Sequence, residues 1–587
     1  MEKNTQKKEE GLRRIFVFIH PYIHPMIFLM IMTALMAFIA IVPPFVTRAL
    51  IDRVFTNGER DIFFVYGLMM VMTWIIYLLI SLVQSVTCVY IGQRFVCDVR
   101  NKLYNHILHL SLRFFGKNSA GKIVNRLMGD SNVLQQMLTG ESMMVISDVI
   151  VALCAMVATF AINWRLSLLL WLILVFFVIN FRMTRRRIVT TSRAMSSSYD
   201  RLSGGVQNRL VANLAVKTFG MESHENYNFD GDSEDALRLG KAQGIAGNTF
   251  GMNVNLIQTL GNSVLYFCGC AMVIRGEVTY GDVVAFNAFA MQMLGPAVRL
   301  SQLANRLQQV AISTDRIFEV FDEKSELPEN PSAIEKKVIR GAVEFKDVWF
   351  HYDPGIEIIR GFNLKVEPGE TIALIGPTGC GKSTILNLIV RYYDVTGGAL
   401  LVDGIDIRNL DLHCYRQNFG IVLQESHLFS TSIRENIRYS RLGASDDEVV
   451  DAAKAAEIHD FIMTLDDKYD TPVGDFGVEL SVGQKQRINI ARAICAKPSI
   501  LIMDEATSSL DSDSEQAIQR AMEKILVGRT SFVVAHRLST IKNADKIILL
   551  DKGVVKECGK HDELMAMPNG QYRDLYTKHM SAGVLEE

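Results

Sequence analysis

Residues 371–384 read Thr-Ile-Ala-Leu-Ile-Gly-Pro-Thr-Gly-Cys-Gly-Lys-Ser-Thr, and the rest of the chain is organised around them. The apolar run Thr371–Ile375 predicts a buried strand, Gly376 to Ser383 follow the spacing G-x-x-x-x-G-K-S, and Ile385–Arg391 predicts a helix. A glycine-rich loop between strand and helix turns backbone N–H groups inward around phosphates, and the helix N-terminus adds a favourable dipole. In such a P-loop Lys382 reaches the β- and γ-phosphates of a nucleotide and the Ser383 hydroxyl binds Mg²⁺. The other positions expected to line the phosphates are Gly376, Pro377, Thr378, Gly379, Cys380, Gly381 and Thr384. The bare spacing arises by chance in roughly a few per cent of chains this long, and the flanking strand and helix reduce that further.

A chain of 587 residues is too long for one ordinary core, so at least two domains are expected. Its net charge of −2 does not point to nucleic acid. Charged residues make up 21%, somewhat below the usual share, and the deficit is concentrated in long apolar stretches of the N-terminal half. The pattern predicts a membrane part followed by a cytosolic part. The nine cysteines form no CxxC and no Cys/His metal spacing. No cleavable signal peptide is evident, and the charged start Met1–Arg14 is expected to stay inside.

Leu12–Tyr22 reads as a short helix in the membrane interface, followed by apolar spans of about 20 residues. Six are predicted, near Met26–Val46, Ile62–Val83, Met143–Ile162, Leu166–Phe181, Asn253–Ile274 and Val283–Val298; Asn253, Asn255, Gln258 and Asn262 interrupt the fifth. Arg94, Arg100, Lys102, Arg113, Lys117, Lys122 and Arg126 lie between spans two and three, and Arg185–Arg187, Arg193, Arg201, Arg209 and Lys217 between spans four and five. The loops Asn163-Trp164-Arg165 and Arg275-Gly276-Glu277 are short. By the positive-inside rule the long basic segments and both termini are cytoplasmic. Val83–Leu112 has few helix breakers and would project about 40 Å into the cytosol. Aromatic-bearing breaks at Leu112–Gly116 and Lys217–Gly220 read as tips that dock on another domain, against ordinary core packing. Asp148, a carboxylate in the third span, is a candidate substrate contact, unless it faces water at the cytoplasmic end.

Residues 322–340 form a polar, proline-bearing linker, and Ala342–Phe350 then alternates like a strand. A second apolar strand, Ile500–Met503, ends in Asp504 and Glu505. Beside the P-loop strand, such a pair suits an Asp that holds Mg²⁺ through water and a Glu that takes a proton from the attacking water. Alone, two acids after a strand could equally cap a helix.

Leu480-Ser481-Val482-Gly483-Gln484 resembles the LSGGQ signature of ATP-binding cassette (ABC) proteins. Gln424 after Ile421-Val422-Leu423 resembles the Q-loop, Ser508-Ser509-Leu510-Asp511 the D-loop, His536 the switch histidine, and Tyr352 the aromatic that stacks on adenine. Val473–Gly477 resembles the exporter-specific segment upstream of the signature. The resemblance covers nearly the whole chain, and its layout is similar to that of a type I exporter half-transporter such as bacterial lipid A flippases and multidrug exporters.

The resemblance implies a fold of two parts: a six-helix transmembrane domain over residues 1–321 and an α/β P-loop nucleotide-binding domain over 341–580, joined by the linker 322–340 and followed by a tail, 581–587. Coupling helices are implied near 112–118 and 217–223. It implies ATP and Mg²⁺ as cofactors, with Glu505, His536 and Gln424 catalytic. Ser383, Gln424 and Asp504 would hold the metal, and Tyr352, the P-loop residues, Ser481, Gly483, Gln484 and Asp511 the nucleotide. One cassette per chain implies a homodimer, or a heterodimer with another half-transporter, in which Ser481 and Gly483 meet the γ-phosphate held by the partner's Lys382. A bacterial inner membrane and a lipid or lipophilic small-molecule cargo are expected, with a peptide exporter or an ATP-gated channel or regulator as alternatives. Spans two and three hold no Lys or Arg, and only Arg48, Arg182 and Arg299 flank the expected cavity. Three departures from the family pattern stand out: Val482 for a glycine, Phe476 where arginine is frequent, and Cys380 in the P-loop, whose alkylation is expected to block ATP.

Overall fold

The computed structural model describes residues 18–583, apart from 138, 140–141, 324–326, 328–329, 331, 424–426, 475–476, 505–511 and 536–537. The side chains of 142–144, 294–308, 512–514, 538–539 and 578–583 also lie outside the description. Two compact units are present: residues 1–109 with 115–324, and residues 110–114 with 325–587.

The first unit is helical. Its principal helices are Ile23–Ile39, Phe63–Leu108, Ser142–Ile162, Trp164–Val211, Glu222–Ile274 and Tyr280–Phe321. Among the described residues, five helical stretches are long and apolar enough to cross a membrane. The predicted sixth span lies in Tyr280–Phe321, partly outside the described side chains. Phe64, Leu78 and Phe267 are 82%, 69% and 77% exposed, as expected of surfaces that meet lipid rather than water. Helices of 46, 48 and 53 residues run about 70–80 Å, far beyond the ~30 Å hydrocarbon core. The extension predicted over Val83–Leu112 is thus continuous with its span, and it stops at Leu108.

Small residues let these helices approach closely: a Cβ on Gly261 would lie 2.8 Å from Ile173, and one on Gly269 2.8 Å from Val283. The polar residues of the fifth span do not break its helix. Asn253 Nδ2 donates to Asn180 Oδ1 at 3.2 Å, and Gln258 Nε2 reaches Met291 Sδ at 3.2 Å, so neighbouring helices engage these two, while Asn262 Oδ1 is buried with no partner among the described residues. The short loops share one end of this unit, where Arg165 pairs with Glu277 at 2.8 Å. Nearby, Arg48 pairs with Asp282 at 2.7 Å, and Asp52 accepts from Thr279 Oγ1 and Gly281 N at 2.8 and 3.1 Å. Asp148 is 9% exposed, so the water-facing alternative is set aside. The Arg299 side chain lies outside the described residues.

The two tips differ. Phe114 in the short helix Leu112–Lys117 is buried, at 5% exposure, and belongs with the second unit, where Arg113 pairs with Asp353 at 2.5 Å. The second short helix is Asn213–Thr218, because Gly220 turns the chain at φ +61° and the next helix starts at Glu222. Residues 217–223 therefore span its end, the turn and the next start.

The second unit carries two sheets. One is four-stranded, in the order β2-β1-β4-β5, built from β1 (Val343–His351), β2 (Glu357–Val366), β4 (Gly397–Val402) and β5 (Ile405–Asp406). The other is six-stranded, in the order β10-β9-β3-β8-β7-β6. It comprises β3 (Thr371–Ile375), β6 (Phe419–Val422), β7 (Ile500–Asp504), β8 (Thr530–Val534), β9 (Lys546–Asp551) and the antiparallel edge β10 (Val554–Gly559). Strands β3, β7 and β8 are buried along nearly their whole length because helices and the first sheet cover both faces. The expectation that the carboxylate strand lies beside the P-loop strand is corrected: β8 sits between them, pairing Leu374 with Val534 and Asp504 with the same Val534. With strands ~4.8 Å apart, the ends of β3 and β7 are about 10 Å apart at one sheet edge.

Candidate nucleotide site

The P-loop leaves β3 at Gly376 and enters the helix Lys382–Ile389. Gly376, Gly379 and Gly381 adopt φ of +143°, +81° and +111°, which side chains resist. Pro377, Thr378, Gly379 and Ser383 are exposed, while Cys380 and Thr384 are buried. Lys382 Nζ donates to the carbonyls of Gly376 and Pro377 at 2.7 and 3.1 Å, so the loop wraps its own lysine. The helix starts at Lys382, and its first-turn N–H groups have no intrahelical acceptor. A cradle of N–H groups with a cation at its centre fits a polyphosphate.

A neighbour that sequence reasoning missed props this loop. Gly553, in the turn between β9 and β10, donates its N–H to Cys380 O at 3.1 Å and accepts from Arg360 N at 3.0 Å. The Asp-Lys-Gly turn signal at 551–553 was available in the sequence; its position under the P-loop was not. Cys380 is 3% exposed and belongs to the apolar core beneath the loop. The expectation that alkylating it blocks ATP is revised accordingly, since a bulky reagent has no open path to the thiol.

Tyr352 packs edge-on to Phe350 and Tyr393, with centroids at 4.9 and 5.1 Å, and its hydroxyl donates to Thr384 Oγ1 at 3.2 Å. The tyrosine is thereby tied to the P-loop helix. Asp504 ends β7 at the sheet edge that carries the P-loop. Glu505, Asp511, Gln424, His536 and Phe476 lie outside the described residues.

The signature helix runs from Val482 to Cys495. Ser481 is its N-cap: Gln484 N donates to Ser481 Oγ at 3.2 Å, and Ser481 N donates to Gln484 Oε1 at 2.9 Å. The S-x-x-Q spacing is thus a capping box, which the sequence carried unread. Val482 sits in the first helical position, 57% exposed, and crowds nothing. Arg487 anchors the helix through Nη1 to Glu457 O at 2.8 Å. A cavity of about 440 Å³ adjoins this start, lined by His427, Gly474, Glu479 and Lys485 among others.

Apolar membrane-length helices, followed in one chain by a P-loop and a capped signature helix, define a membrane transport ATPase. The comparisons give its family. Residues 26–297 match the ABC transporter transmembrane region, and residues 359–508 match the ABC transporter cassette. A Bacillus subtilis protein provisionally named as a multidrug export ATP-binding/permease protein is 36% identical over 576 residues, 96% of this chain and 99% of its own. An ATP-dependent lipid A-core flippase of Syntrophus aciditrophicus is 34% identical over 535 residues, 91% of this chain and 88% of its own. The chain belongs to the ABC transporters as an exporter half-transporter, an integral membrane protein that binds ATP and couples its hydrolysis to transport.

Proposed function

We propose that two copies of this chain form an exporter or flippase for a lipid or lipophilic small molecule, in a bacterial inner membrane with both cassettes and termini cytoplasmic. The observation that carries the reading is the P-loop built round Lys382, in one chain with apolar helices whose short loops meet at one end through Arg165–Glu277. Relatives named for multidrug export and lipid A flipping support an apolar or amphiphilic cargo.

In this reading each copy supplies half of two nucleotide sites. Lys382 and the loop N–H groups hold the phosphates, Tyr352 takes the adenine, and Ser481 with Gly483, Gln484 and Asp511 close the site from the partner. Ser383, Asp504 and Gln424 would hold Mg²⁺, which offsets phosphate charge when bound. Glu505 accepts the proton of the attacking water, with His536 at the γ-phosphate. Cassette closure swings the membrane helices between inward and outward states, through Leu112–Lys117 and the turn after Asn213–Thr218.

The chain reconstituted alone in vesicles is expected to move labelled lipid or lipophilic dye with ATP, and a Lys382→Ala variant is not. Hydrolysis with no cargo movement, or ATP-gated conductance, would defeat the reading. Glu505→Gln is expected to retain ATP and slow steady-state hydrolysis by about 10²-fold or more; unchanged turnover removes Glu505 from the base role.

A further inference from the structure

The first span is not one helix. Ile23–Ile39 ends in a turn over Ala40 and Ile41, and Val42–Ala49 resumes with Pro43 and Pro44 in its opening turn. Proline has no N–H, so the carbonyls of Ile39 and Ala40 lose the i+4 donors of an unbroken helix. In a bilayer such carbonyls need donors from elsewhere. Gln292, on Tyr280–Phe321, supplies one: its Nε2 donates to Ala40 O at 3.1 Å. The other atom of that amide, Gln292 Oε1, is buried and has no hydrogen-bond partner among the described residues.

A cavity of about 290 Å³ lies at this break, lined by Ile39, Ala40, Pro43, Trp74, Tyr77 and Gln292, by small apolar neighbours, and by Thr47 and Thr73, whose hydroxyls donate to Pro43 O and Met69 O at 2.8 and 2.7 Å. No charged side chain is among its described lining residues. Trp74 is 58% exposed and stands edge-on to Tyr77, with centroids at 5.9 Å. Gln292 is about 18 Å along its helix from Tyr280, which is mid-depth in a ~30 Å hydrocarbon layer. The wall therefore offers surplus oxygen acceptors and aromatic faces. Carbonyl and amide oxygens repel an anion, and indole and phenol faces attract a cation. Broken helices that present carbonyls at mid-membrane depth are suited to cation binding.

We propose that this break is a subsite for a lipophilic amine in its protonated form. Its N–H groups meet the Ile39 carbonyl and the Gln292 amide oxygen, its charge lies against Trp74 and Tyr77, and its apolar body extends along Val284 and Ala285. The proposal refines the cargo class and rests on the export reading for its consequence, although binding itself does not require transport.

The test uses the full chain in lipid nanodiscs and three probes of one shape: 4-phenylbutylammonium, 4-phenylbutanol and 4-phenylbutyrate. Binding is read from tryptophan fluorescence, with Trp74→Phe as the blank. The ammonium is expected to bind at least about tenfold tighter than the other two. Gln292→Leu is expected to weaken it by a similar factor, and Gln292→Glu to preserve or tighten it. The pair Pro43→Ala with Pro44→Ala returns N–H donors to the break and should also weaken it, in a chain with higher helix propensity. Equal binding of the three probes, or ammonium binding unchanged by both Gln292→Leu and the double alanine variant, overturns the subsite. Ammonium binding that persists while ATP moves no cargo in vesicles overturns the export reading and leaves the subsite standing.

Discussion

A methyl group on Gly376 would lie 2.1 Å from the Leu550 carbonyl oxygen and 3.0 Å from Cys380 Sγ, at a φ of +143°. Backbone cannot yield there without moving β9, so Gly376→Ala is expected to abolish ATP binding, measured with a fluorescent nucleotide analogue, while membrane insertion persists. The signature offers the opposite case. Val482 is 57% exposed on the first turn of its helix, so Val482→Gly should change cassette stability by less than about 1 kcal/mol. Ser481→Ala removes the capping box and is expected to cost about 1 kcal/mol. Its loss of hydrolysis should be much the larger of the two if Ser481 also meets phosphate; equal turnover in both variants would assign the serine to capping alone. At this scale the sequence was informative where a motif dictates backbone shape. It was misleading at Cys380, because which way a loop side chain turns depends on the core beneath it.

Among the elements, one carboxylate gathers four hydrogen bonds at the junction between linker and cassette. Asp403, at φ +48° between β4 and β5, accepts from the N–H groups of Arg340, Gly341 and Ala342 at 2.8, 3.1 and 3.0 Å and from Lys336 Nζ at 3.0 Å. Burial pushes its pKa up, but the N–H donors and Lys336 outweigh burial and hold it below the usual carboxylate range. A depressed folded pKa means that the stabilisation is complete above the unfolded value of ~3.9 and is lost as pH falls through the lower folded value. Asp403→Asn sets an amide N–H against these donors, and about 2 kcal/mol of cassette stability is expected to go at pH 7. The gap between the two proteins in thermal unfolding should narrow below about pH 4; a gap independent of pH would mean that the carboxylate's charge is irrelevant. Local pattern predicted the strands that carry the motifs. Thr371–Ile375 is a strand as read, and Ile500–Asp504 follows its apolar run. Strand order was not legible, since nothing local to β3 or β7 says that β8 intervenes.

For the whole molecule, one cassette per chain makes the assembly testable by complementation. A dimer of one Lys382→Ala chain and one Ser481→Arg chain retains one site with both residues intact. Mixed preparations are therefore expected to recover ATP hydrolysis that neither variant shows alone. No recovery, with mixed dimers demonstrated by affinity tags, would mean that each site is completed within a single chain.

Sequence alone determined the two-part plan, the membrane-length apolar helices, the P-loop and the signature, because each is written in contiguous residues whose spacing repeats a local geometry. Tertiary structure decided what those stretches face: β8 between the P-loop and carboxylate strands, the Gly553 turn under Cys380, Phe114 in the core, and Gln292 across the break before Pro43. The physical reason is range. Helix, strand and turn preferences act over a few residues, whereas these contacts join residues far apart in the chain, and only the packed fold brings them within reach.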